Sequence, residues 1–176
     1  MTVSDEFYQE DVVQLNTSLE EALPNGPVLG LTWQWNHNPD NTKWSLTERK
    51  GYLRLYTCNV VEDIQQARNV LTQRTQGPYC SGWILMDATH MLDGDYAGLA
   101  AFQQEYGFVG VAREGDDFYV VIVDKGVEKA RIKLMQQQVY LKIDFDFTVD
   151  EAAFYYSYNG KKWSRLGNKL SMRYTI

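Results

Sequence analysis

From residue 29 to the end the period-2 alternation of apolar and polar residues is strong, and sustained 3.6-residue periodicity is nearly absent. Successive side chains of a strand point to opposite faces, so this period allows half-buried strands and excludes a helical core. In Tyr140–Phe147, Leu141, Ile143, Phe145 and Phe147 share one face, while Tyr140, Lys142, Asp144 and Asp146 share the other. Ala130, Ile132 and Leu134 alternate in the same way with Lys129, Arg131 and Lys133. Phe118–Val123 is apolar on both faces and reads as a central strand.

Turn signals separate these runs at short intervals: Asn38-Pro39-Asp40-Asn41, Lys50-Gly51, Asp93-Gly94-Asp95, Glu114-Gly115-Asp116, Lys125-Gly126 and Asn159-Gly160. Regular spacing of this kind predicts an antiparallel sandwich. Phe154–Tyr158 and Lys161–Arg165 are expected to form a hairpin through a type I′ turn at Asn159-Gly160. Two stretches are ambiguous: Val61–Ala67 suits a short helix before a strand at Asn69–Arg74, and Tyr96–Tyr106 has helical composition between glycines that oppose a helix. Residues 1–28 pattern weakly and read as a loose entry segment with a strand near Glu6-Phe7; residues 29–176 read as one sandwich module.

Charge and targeting signals narrow the function. A net charge of −6 with dispersed basic residues excludes an electrostatic footprint for nucleic acid. Met1–Glu6 shows neither a basic nor an apolar leader region, and no stretch approaches bilayer-spanning length. The expectation is a soluble chain without a signal peptide or membrane partner, in the bacterial cytoplasm or exported with a parent enzyme. Cys58 and Cys80 are expected as buried thiols rather than a disulfide.

Catalytic chemistry finds little support. Asp144 and Asp146 would stand about 7 Å apart on one strand face, a spacing open to glycosidase carboxylates, yet any alternating polar face produces such pairs. His37 and His90 sit in no metal or nucleophile motif. No cofactor is expected, although Asp93 and Asp95, with Asp87 upstream, offer oxygen ligands for a structural calcium ion. Sugar recognition needs only exposed rings and planar polar groups. Trp33, Trp35, Asn36, His37, Arg68, Asn69, Gln73, Arg74, Tyr79, Gln103 and Tyr106 supply that mixture and are the expected ligand-binding residues. Core packing is the competing role for Trp33 and Trp35.

Several long runs then resemble one family in order along the chain. Leu29–Asn41, Trp44–Arg49, Gly51–Leu55, Gln66–Asn69, Leu71–Thr75, Asp93–Asp95, Ala97–Gln103 and Tyr106–Gly110 are similar to the C-terminal accessory module of family 43 glycoside hydrolases. The resemblance implies a concanavalin A-like jelly-roll sandwich that follows a five-bladed catalytic propeller, in β-xylosidases and α-arabinofuranosidases. It implies xylan or arabinoxylan, including xylo-oligosaccharides, as the sugar and the propeller as the partner, and it carries no catalytic acid onto this chain. A module that only buttresses the propeller is the alternative it leaves open. The family also continues beyond a segment like Leu166–Ile176 into a loop and a last strand, so an open sheet edge is expected here.

Overall fold

The computed structural model describes residues 20–23, 26–57 and 59–172. Its centre is two antiparallel sheets packed face to face. Sheet I has the order β11 (Val127–Lys133), β10 (Asp117–Asp124), β9 (Gly107–Glu114), β8 (Tyr96–Ala101). Sheet II has the order β14 (Ser164–Arg165), β13 (Glu151–Ser157), β12 (Gln138–Asp146), β7 (Tyr79–Asp87), with β15 (Leu170–Ser171) also on β13. The all-β antiparallel sandwich read from the sequence is the observed architecture. No helix among the described residues is long and apolar enough to cross a membrane.

The core between the sheets is built by alternation. Leu99, Val109, Val111, Val120 and Ile122 of sheet I meet Val139, Leu141, Ile143, Phe145 and Phe154 of sheet II. Each such side chain contributes about 1.5–3 kcal/mol when fully withdrawn from water, which makes this layer the main source of stability. Sheet I is buried on its outer face as well, where Ala100, Tyr106, Phe108, Ala112 and Val121 form a second cluster capped by Ile64. That double burial explains the uninterrupted apolar run of β10.

Ile64 comes from the N-terminal half, which has its own small core of Trp33 and Leu71. There β1 (Glu20–Leu23) pairs with β2 (Gly26–Leu29), β3 (Gln34–Trp35) with β6 (Leu71–Thr72), and β4 (Trp44–Ser45) with β5 (Arg54–Leu55). The hairpin over residues 20–29 gives part of the expected entry segment regular structure, whereas the strand expected at Glu6-Phe7 lies outside the described residues. The helix expected over 61–67 shrinks to one 3₁₀ turn, Ile64–Gln66, started by Asp63, whose carboxylate accepts from the Gln65 amide at 2.8 Å. The strand expected at 69–74 is only Leu71–Thr72. Residues 96–106 resolve in favour of their glycines: Tyr96–Ala101 is strand, with Gly98 directly opposite Gly110 of β9.

One turn differs from its sequence reading. Tyr155 pairs with Arg165 and Tyr156 with Ser164, so the β13–β14 connection is a long loop rather than a two-residue turn. Only Gly160 has a positive φ there, +67°, while a type I′ turn needs two such residues. Side chains build the loop instead. Ser157 Oγ accepts from the amides of Asn159 and Gly160, and Asn159 Oδ1 from those of Lys161 and Lys162. The two positive φ values fall at Lys125 and Gly126, which close the β10–β11 hairpin.

Candidate functional site

Among the described residues, the outer face of sheet II presents side chains rather than another layer of chain. The register sets them in rows across the strands. Lys142 lies between Trp83 and Tyr155, Asp144 between Ser81 and Ala153, and Asp146 between Tyr79 and Glu151. Small Ala153 leaves the middle row shallow, and an open groove of about 580 Å³ runs over it, walled by Gln76, Tyr79, Glu151, Tyr155 and Lys169. Beyond its end the rings continue: Tyr140 stands 6.1 Å from Trp83 and 6.4 Å from Trp163.

The polar floor is tightly arranged. Lys142 Nζ donates to Asp144 Oδ2 at 2.9 Å and lies over the rings of Tyr155 and Trp163, 4.5 and 5.2 Å from their centroids. Its side chain is only 16% exposed, so the ammonium trades water for a carboxylate and two π faces. Asp144 Oδ1 accepts from Ser81 Oγ at 2.6 Å. Asp146 Oδ1 accepts from the hydroxyl and amide of Thr148 at 2.6 and 3.0 Å. Those bonds, the hydroxyl's first, hold its carboxyl below the usual carboxylate range against a smaller opposing effect of desolvation. A glycosidase general acid needs the opposite shift, so Asp146 is not tuned for that role. Lys169 and Glu151 form an ion pair on the wall. Rings to lie against C–H faces and carboxylates to accept from hydroxyls are therefore combined in one open channel.

Of the residues expected to bind ligand, Tyr79 stands in this groove, 64% exposed. The others lie elsewhere and divide into two kinds. Trp33, Asn69 and Tyr106 are buried. Trp33 packs with Leu71, Leu29, Trp35 and Leu53, the core role open to it from the start. Asn69 clasps the backbone of Asp40, its Oδ1 accepting from the amide at 2.8 Å and its Nδ2 donating to the carbonyl at 3.1 Å. Tyr106 belongs to the cluster outside sheet I, where burial pushes its phenol pKa up.

The remainder lie nearer the surface. Trp35 is half-buried and tilted against Trp44, 5.3 Å between centroids. Asn36 donates its amide to the Val70 carbonyl. His37 Nε2–H donates to the Gln65 carbonyl at 2.6 Å, and Gln65 Nε2 donates to the carbonyls of Gln103 and Gln104, so Gln65 ties the loop of Trp35–His37 to that of Gln103. Arg68 is exposed beside Asp40, whose pKa it helps to lower. Gln73 and Arg74 line a small crevice with Cys80–Gly82 of β7 and Leu99-Ala100 of β8. The groove residues Ser81, Asp144, Asp146, Glu151, Tyr155 and Lys169 were missed, although the alternation at 140–146 already put Asp144 and Asp146 on a wet face.

The carboxylates considered for calcium are held in other ways. Asp87 accepts from Thr89 N and Oγ1, from Arg49 Nη1 at 2.5 Å and from Gln138 Nε2 at 3.0 Å. Burial alone would raise its pKa, but these donors outweigh it and hold the carboxyl far below its ordinary value. Asp93 Oδ1 accepts from the Gly115 amide, and Asp95 Oδ2 from that of Leu92. Among the described residues no three His, Cys, Asp or Glu side chains converge as metal ligands. Cys80 is half-buried against the main core, and Cys58 lies outside the described residues.

Relatives place this geometry in context. A bifunctional GH43-CE protein of Bacteroides eggerthii matches 88% of the chain at 46% identity and a TM-score of 0.84, over 21% of its own length. A relative from Xylanibacter ruminicola is 34% identical over 146 residues, 82% of this chain and 26% of its own. A beta-xylosidase of Formosa agariphila is 27% identical over 173 residues, 85% of this chain and 29% of its own. The chain thus spans between a quarter and a third of the curated relatives it matches. The family described as the beta xylosidase C-terminal concanavalin A-like domain matches residues 25–176, and this chain belongs to it.

Proposed function

We propose that this accessory domain holds a xylan-type chain for the family 43 glycoside hydrolase of which it forms the C-terminal part, and breaks no bond itself. The observation that carries the reading is the ring-walled, polar-floored groove on sheet II, in a domain family named for beta-xylosidases. Tyr79 and Tyr155 offer faces for sugar C–H groups, and Asp144, Asp146 and Glu151 offer acceptors for hydroxyls. Titration with xylo-oligosaccharides and retention on insoluble xylan, beside a cellulose control, test it. Xylan is expected to be retained, with Tyr155→Ala weakening binding by roughly three- to tenfold, the worth of one ring contact. No retention on any xylan would sink the reading.

A second reading, a domain that only buttresses the catalytic propeller, draws on the N-terminal half. Leu31 is 91% exposed and Val60 fully so on the N-terminal layer, where an adjoining domain would cover them. Its mark would be a rise in activity when the domain is added to separately expressed catalytic domain, without retention on xylan.

A further inference from the structure

The cations and anions of the groove do not match in number or in availability. Three carboxylates, Asp144, Asp146 and Glu151, line it. Two ammonium groups oppose them, and both are already engaged: Lys142 is enclosed by Asp144 and two rings, and Lys169 is paired with Glu151. Asp146 makes no direct ion pair among the described residues; the nearest cation acting on it is Lys169, already paired with Glu151. Its carboxylate accepts from Thr148 and from the Val149 amide, and it lines the groove in the same row as Tyr79 and Glu151.

An uncharged sugar suits such a site, because its hydroxyls can donate to the carboxylate oxygens without adding charge. An anionic sugar does not. Its carboxylate would enter beside Asp146 with no uncommitted cation to meet it, and would either face a like charge or break an existing ion pair. Hydrogen bonding to Thr148 holds the Asp146 carboxyl below the usual carboxylate range and so favours its charged form.

We infer that the groove selects uncharged stretches of a xylan-type chain and rejects stretches bearing uronic acid, with Asp146 as the residue that sets this preference. The inference rests on the sugar-binding reading above and adds a selectivity to it. Rejection through an unpaired like charge is a recognised route to specificity, distinct from adding contacts to the preferred ligand.

Calorimetric titration of the whole chain tests it, comparing xylohexaose with the same backbone carrying one glucuronic acid branch, at low and high salt. The uncharged ligand is expected to bind about tenfold tighter at low salt, with the gap narrowing as salt screens the repulsion. Asp146→Asn, which keeps an oxygen acceptor for Thr148, is expected to close most of the gap: both ligands lose the same charged acceptor, and only the branched one is relieved of the repulsion. Equal affinities at low salt, a preference for the branched ligand, or a gap unchanged by both salt and Asp146→Asn would each overturn the inference while leaving xylan binding intact. Failure of both ligands to bind would instead overturn the underlying reading and this inference with it.

Discussion

Asp87 shows how much one side chain can hold together. It joins the end of β7 to the 45–52 loop through Arg49, to β12 through Gln138, and to its own turn through Thr89. Asp87→Ala is expected to lower stability by about 2–3 kcal/mol, because Arg49 and the Thr89 amide lose a charged acceptor at a site only 15% exposed. Urea titration checks it. The pH dependence follows from linkage: a carboxyl depressed in the folded state contributes stability that is complete above its unfolded pKa and is lost as pH falls through the folded one. Wild-type stability should therefore decline below about pH 4, and the Asp87→Ala profile should be flatter there. At this scale the sequence was only partly legible. Acidic turns at Asp87 and Asp93–Asp95 were visible, but the donors they serve come from residues far away in the chain, which no local pattern records. The same limit applies to Trp33 and Asn69: side-chain type suggested a ligand, and only the approach of Leu71 and Asp40 reveals packing and clasping.

Between strands, the closest fit is at Gly98 and Gly110, which face each other across β8 and β9. A Cβ on Gly98 would lie 2.3 Å from the Val109 carbonyl oxygen, and one on Gly110 would lie 2.1 Å from the Phe108 ring. The first collides with backbone and the second with a side chain fixed in the outer cluster. Gly98→Ala is expected to cost more than about 2 kcal/mol, read as a drop in thermal midpoint or as failure to fold. Hydrogen exchange should rank the elements by burial. Amides of β9 and β10, covered on both faces, are expected to exchange slowest, and those of the two-residue pairs β3–β6 and β4–β5 fastest. Strand existence was the most legible feature, since alternation at 140–147 and the double-sided run at 118–123 translate directly into β12 and β10. Turn type was less so. Asn159-Gly160 has the dipeptide of a tight hairpin, but Ser157 and Asn159 offer the backbone stronger side-chain partners, whereas Lys125-Gly126 makes the tight turn without the preferred residue.

For the whole molecule, the sandwich has two unlike outer faces. Among the described residues, the outer cluster of sheet I is capped by Ile64 of the N-terminal half, and sheet II carries the groove. Removing residues 1–74 is expected to expose Phe108, Tyr106 and Val121 together and to yield a protein that binds a hydrophobic dye and aggregates, while Tyr155→Ala leaves folding intact. The family and its layered architecture were legible from motifs spread over most of the chain. The position of the groove was not, because its residues come from β7, β12, β13 and the segment before β15, and become neighbours only through strand register.

The crevice holding Gln73 and Arg74 has a further meaning when the rims of the sheets are compared. Sheet I ends on one side with β11, whose Lys129, Arg131 and Lys133 discourage a second chain from pairing there. On the other side β7 and β8 come together, and their sequences, Tyr79–Asp87 and Tyr96–Ala101, contain no lysine, arginine or proline. Among the described residues β7 pairs only with β12 and β8 only with β9. Gln73, Arg74 and Thr75 lie along this unguarded seam. Arg74 is exposed there, so a tryptic cut after it is expected to loosen the strip lying along both rims and to promote association through those edges, read as nicked protein that sediments faster than the intact chain.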